Sequence, residues 1–173
     1  MNFRLLLLDA NVVIHLHEIG LWKRFIDECE VILSRAVMER EVLFFEDSEG
    51  QQPIDLSRDE QAGRIKVVDV PVSEIREFKK RFDVINMERL DPGEAESLAY
   101  LVGAQDPHII CSSDGIVFRA LALLDRADQG ISLEEILMRL GLGRRLVYQF
   151  TRKFRERHTE QGRQDRIQGR GLR

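Results

Sequence analysis

Four consecutive leucines, Leu5 to Leu8, end on an acid, Asp9, and a second apolar run, Val12-Val13-Ile14, begins three residues later. An unbroken apolar tetrad is the pattern of a strand covered on both faces of a parallel sheet. In open α/β sheets, ligands bind beyond the carboxyl ends of the strands, and Asp9 falls there. It reads equally as the N-cap of a following helix or as a group with chemistry. Recurrence of acids at equivalent places decides between the two.

The rest of the chain repeats the strand-then-helix theme. Residues 11–28 read as a helix that Gly20 interrupts, Glu30-Val31-Ile32-Leu33 as a second strand, and Ser34 as N-cap of a helix starting near Ala36. That helix carries Glu39 and Glu41 and continues through Phe44 and Phe45. Residues 46–63, polar and unusually long for a connection, read as an exposed loop, with a helical turn at Leu56–Ala62. Arg64–Val70 is a third strand, and Ser73 caps an amphipathic helix to about Val84. Leu90-Asp91-Pro92-Gly93-Glu94 is a helix start with Asp at N-cap, Pro at N1 and Glu at N3. A fourth strand, His108–Ser113, again ends on an acid, Asp114, and precedes a helix over about 116–124. Further helices are expected at 132–140 and 143–157, and a disordered end over the last dozen residues. Alternation of this kind predicts a parallel sheet with helices on both faces.

Charge is segregated. Residues 1–138 hold 15 basic and 27 acidic side chains, a formal −12, whereas residues 139–173 hold 11 and 3, a formal +8. The division suggests an acidic body over 1–138 and a basic helical extension over 139–173. Such a tail hints at nucleic-acid contact, and equally describes a solvated helix with a frayed end. Cys29 and Cys111 read as reduced core thiols. The apolar start is broken by Asp9 and lacks a cleavage site, and no stretch approaches the roughly 18 apolar residues of a membrane span. A soluble, cytoplasmic protein with no membrane partner is the expectation. His15 and His17 are two apart on a helix and point different ways, which argues against metal ligation, and Trp22 reads as core.

Four acidic places stand at one sheet edge: Asp9, Glu39 or Glu41, Glu94 or Glu96, and Asp114. Converging carboxylates repel and raise one another's pKa unless a cation neutralises them. Mg²⁺ prefers such oxygens and, where bound, activates water and stabilises charge on a phosphate oxygen.

In their order, the strand-Asp9-x-Asn11 start, Gly93-Glu94-Ala95-Glu96 and Ser112-Ser113-Asp114 resemble a PIN domain, particularly the branch with a Gly-Glu-x-Glu motif. The resemblance covers roughly residues 3–125. It implies a three-layer α/β/α sandwich on a parallel sheet of four or five strands, here with a C-terminal helical extension. It also implies a Mg²⁺- or Mn²⁺-dependent endoribonuclease. Many relatives are VapC-type toxins of bacterial toxin–antitoxin pairs, often dimers, so RNA, an antitoxin protein and a second copy are the implied partners. By the same resemblance Asp9, Glu94 and Asp114 are metal-binding acids, Glu41 joins them in catalysis, and Asn11 and Ser112 support them. Glu39 and Glu96 are the substitutes for Glu41 and Glu94. The second acid departs from the family pattern, because the usual spacing lands on Arg40.

Arg144, Arg145, Arg152, Lys153, Arg155 and Arg157 are the candidate contacts to an RNA backbone, where phosphate contacts add affinity without sequence choice. A catalytically inactive PIN-like module that binds RNA or protein is the alternative, motivated by Arg40 and the long tail. A haloacid-dehalogenase-type phosphatase is disfavoured by Asn11, which stands where that chemistry needs a second Asp. A receiver domain is disfavoured because no acidic pair ends the first strand.

Overall fold

A computed structural model describes residues 3–173, with side chains from Leu6 onward, so the Leu5 side chain lies outside the described residues. The chain runs β1 (Phe3–Leu8), α1 (Ala10–Glu18), α2 (Trp22–Glu28), β2 (Cys29–Ser34), a π-helical turn (Val37–Glu41), β3 (Phe44–Asp47) and β4 (Gly50–Pro53). It continues with α3 (Ser57–Gln61), β5 (Ile65–Val68), α4 (Val72–Lys79), α5 (Val84–Arg89), α6 (Pro92–Gly103), β6 (Ile109–Cys111) and α7 (Gly115–Leu123). β7 (Gly130–Ile131), α8 (Leu133–Arg139) and α9 (Arg152–Ile167) complete it.

Five parallel strands form the central sheet in the order β5-β2-β1-β6-β7, and helices cover both faces, giving the three-layer α/β/α sandwich. The leucine run explains this directly. Leu6 and Leu8 enter one core with Val12, Leu16, Phe25 and Ile136, while Leu7 points into the other with Ile32, Leu98, Ile110 and Val117. All three leucines are fully buried, so the run anchors both faces of the sheet. Truncating any of them to Ala costs about 2–5 kcal/mol.

Strand order reverses at β1: β2 and β5 lie to one side, β6 and β7 to the other. The crevice at the carboxyl ends of β1 and β6 is therefore the topological switch point, where sheets of this kind bind ligands.

Three regions before the tail differ from the sequence expectation. The expected loop over 46–63 is in part ordered: Phe44–Pro53 form an antiparallel hairpin, while α3 forms within the helical turn expected at Leu56–Ala62. The hairpin is exposed on most positions, so its strands lack the alternation that marks a half-buried one. Ser34 does accept from the Val37 amide, but the helix it opens is a single π turn that stops at Glu41. Pro71, not Ser73, is the N-cap of α4, and α5 intervenes before α6, capped by Asp83.

The largest correction concerns the tail. The last helix spans Arg152–Ile167 instead of 143–157, and the end beyond it packs rather than being disordered. Gly162 lies so close to α7 that a Cβ there would stand 2.5 Å from the Arg119 carbonyl. Asp165, buried, pairs with Arg119 at 2.6 Å and Arg170 at 3.3 Å. The Arg173 amide donates to the Arg81 carbonyl, and Asp83 to Gly171, which carries the chain end to the loop between α4 and α5. No helix among the described residues is long and apolar enough to cross a membrane.

Candidate active site

Asp9 occupies the end of β1 and does two things at once. Its amide still donates to the Cys111 carbonyl of the sheet, while its side chain caps α1 by accepting from Val12 N at 2.8 Å. The second carboxylate oxygen accepts from Ser112 Oγ at 2.5 Å and Ser113 N at 2.9 Å. The capping and the chemical readings thus coexist in one group. Burial pushes the Asp9 carboxyl above its ordinary range against the pull of these three donors, and nearby Asp114 adds to the rise.

Asp114 ends the adjacent strand segment and caps α7 by accepting from Ile116 N at 3.0 Å. Ser112 Oγ accepts from the Asp114 amide at 2.9 Å, so one hydroxyl links the backbone of Asp114 to the carboxylate of Asp9. Asp114 is exposed.

Glu94 arrives from α6. The capping box forms as its sequence predicts: Asp91 accepts from Glu94 N at 2.8 Å and Glu94 from Asp91 N at 3.1 Å. Glu94 is buried, and burial together with Asp91, Asp114 and Asp9 lifts its carboxyl to about 9. Glu41, at the end of the π turn, accepts from Gly93 N at 2.9 Å. Burial, then Asp91 and more distantly Asp9, raise its carboxyl as well. Gly93 has no room for a side chain: a Cβ would lie 2.4 Å from Glu41 Oε2 and 2.7 Å from Val37 Cγ2.

The expected supporting residues divide. Ser112 bridges Asp9 and Asp114 as described. Glu39 points out to Arg35 at 3.0 Å, away from the other acids. Glu96 is committed elsewhere, accepting from Ala36 N at 2.8 Å and Val70 N at 3.0 Å, and so fastens α6 to the ends of β2 and β5. Asn11 is exposed on the first turn of α1. Among the basic candidates, Arg155 is tied to Glu135 through two hydrogen bonds, Arg144 donates to the Ile19 carbonyl, and Arg152 pairs with Glu156. Arg145, Lys153 and Arg157 are exposed and make no ion pair among the described residues.

Two neighbours escaped the sequence reading. Asp91, read only as a cap, is the strongest negative influence on Glu94 and Glu41. His158 of α9 lies against Gly115, where a Cβ would meet its ring at 2.4 Å, within the field of Asp114. Burial and the Arg157 guanidinium hold its imidazole below the usual histidine range. His15 and His17 are structural: His15 stacks on Phe150 at 4.2 Å, and His17 donates to Val13 O beside Trp22. Trp22 is core, its indole donating to Asp59 at 2.9 Å. Both cysteines are buried.

Carboxylate oxygens are the donors a hard divalent cation takes, and Glu94, lifted first by burial and then by three other acids, is short of positive charge. As they stand, no three His, Cys, Asp or Glu side chains among the described residues are grouped closely enough to hold a metal ion. No protein-family model, curated protein or solved structure matches the chain.

Proposed function

We propose that this protein is a divalent-cation-dependent nuclease that hydrolyses RNA phosphodiester bonds at the edge formed by Asp9, Asp114, Glu94 and Glu41. The observation that carries the reading is positional. Acids that follow β1 and β6 and one from α6 lie around the crevice where the strand order reverses, with Glu41 of the π turn held against α6 at Gly93. A structural ion-pair network would match these acids with Lys or Arg. Here Glu94 meets other acids instead.

Mg²⁺ or Mn²⁺, when bound, would lower the pKa of a coordinated water and stabilise charge on a phosphate oxygen. The residues have separable parts. Asp9 is held rigid by Val12, Ser112 and Ser113, leaving its orientation fixed relative to β6. Asp114 is exposed toward solvent, and Glu94 would have to give up its proton to hold a cation there. Ser112 keeps Asp9 and Asp114 in register, and Glu41 completes the acidic group from the side of β2.

The test is cleavage of a mixed pool of structured and unstructured RNAs with Mg²⁺, Mn²⁺ or EDTA, comparing wild type with Asp9→Asn and Asp114→Asn. Metal-dependent cuts absent from both variants support the reading, and cuts that survive both substitutions refute it. A toxin role is the expected biological setting of the resemblance, checked by growth arrest on expression that Asp9→Asn relieves.

A non-catalytic RNA- or protein-binding module is the second reading. It is favoured by the spacing of the acids, none of which form a metal-holding trio as they stand. Folded wild type that binds RNA yet cuts nothing under any metal would establish it.

A further inference from the structure

The C-terminal helix stands where a substrate strand would need a wall. α7 and α9 run side by side in the same direction: His158 sits on Gly115, Gly162 on Arg119 and Ala122, and Arg166 pairs with Asp125. α7 begins at the carboxylate edge, immediately after Asp114. The six residues Arg152–Arg157 therefore rise above that edge, by about 9 Å at the helical rise per residue. This overhang is braced, because Arg155 is held by Glu135 of α8 and the Arg152 amide donates to Glu134 at 2.8 Å.

Its composition complements the acids beside it. Lys153 and Arg157, one helical turn apart, share an exposed flank. Next to them His158 is fixed between Gly115 and the Phe154 ring, 4.4 Å away between centroids. A polyanion approaching Asp9, Glu94, Asp91 and Asp114 meets repulsion, and these groups are the nearby cationic and neutral donors that offset it.

We propose that His158, Arg157 and Lys153 form a phosphate-binding wall that holds the sugar–phosphate backbone of a single nucleic-acid strand along the β6 side of the carboxylate edge. The wall rests on the nuclease reading for its purpose, and its binding is measurable without turnover. His158 contacts substrate phosphate and is not assigned to the chemical step. Arg144, Arg152 and Arg155 are excluded from the wall by the bonds that already hold them.

The experiment is fluorescence anisotropy of a labelled mixed-sequence single-stranded RNA, and of DNA of the same sequence, in EDTA across a salt series. Replacing Lys153 and Arg157 together by Gln is expected to reduce the slope of log affinity against log salt by about 1.4, roughly 0.7 for each lost contact on a single strand. His158→Gln is expected to keep the slope and weaken binding by about fivefold, the scale of one net hydrogen bond. Arg163→Gln, at the far end of the same helix, is the control and leaves both unchanged. A change on RNA alone, or on both strands, identifies the backbone served. An unaltered slope on both strands, or equal weakening by Arg163→Gln, overturns the wall. Cleavage with an unaltered slope leaves the nuclease reading standing without the wall. A slope that responds, with no cleavage, leaves the wall and removes the nuclease.

Discussion

Glu94→Gln offers the sharpest test of the carboxylate edge, because it acts on stability and needs no substrate. The ordinary carboxyl value of 4.5 rises to about 9 in the fold, so the folded protein holds a proton that the unfolded chain releases. Stability from this group is fully present below pH 4.5 and is lost as pH rises toward 9. The slope is about 1.4 kcal/mol per pH unit, which amounts to roughly 3 kcal/mol by pH 7. That is an upper figure, since Asp91 and Asp114 are exposed and water screens them. Gln keeps the capping box, which accepts either residue at N3. Urea unfolding in EDTA at pH 5, 6, 7, 8 and 9 should show the variant gaining on wild type with each step, by about 1–3 kcal/mol at pH 8 once screening reduces the roughly 5 kcal/mol of the full linkage. Millimolar Mg²⁺ should recover most of that difference for wild type only. Parallel stability curves for the two proteins would refute the convergence of negative charge on Glu94.

Gly93→Ala should push Glu41 off α6, costing about 1–3 kcal/mol as an overpacking change, and cleavage should fall while Asp9 remains in place. Thermal melting and the RNA assay read the two effects separately. Asp165→Asn should loosen α9 by about 2 kcal/mol, somewhat less than a fully buried pair because Arg119 is partly exposed. Hydrogen exchange should then rise along α9 and α7 but not in β1 or β2, and uniform loss across the sheet would contradict a local docking role.

The sheet was legible because its strands are apolar on both faces. Leu6–Leu8, Val31–Leu33 and Ile109–Cys111 supply side chains to both cores, and a continuous apolar run records that demand. What escaped detection is held by polar means. β3 and β4 are exposed and leave no alternation. α9 docks through a glycine, a buried Asp and Arg–acid pairs, so its sequence reads like a solvated tail. The two-residue β7 is too short to leave any pattern and is recognisable only once β6 is beside it.

The acids show why position alone cannot identify a site. At the carboxyl edge of a parallel sheet, backbone N–H groups run out of ladder partners and must find acceptors. Glu96 answers that need for Ala36 and Val70, one oxygen to each. Two residues earlier on the same helix, Glu94 takes a single backbone donor and faces Asp91, Asp114 and Asp9 instead. Residues 94 and 96 differ by about 200° around a helix of 3.6 residues per turn, which sends one toward β6 and the other toward β2 and β5. The Gly-Glu-Ala-Glu sequence holds both carboxylates but not which strand ends they meet. What separates these two glutamates is therefore their surroundings: Glu96, with an amide on each oxygen, is a fastener, whereas Glu94 lies among like charges, where added positive charge would be favourable.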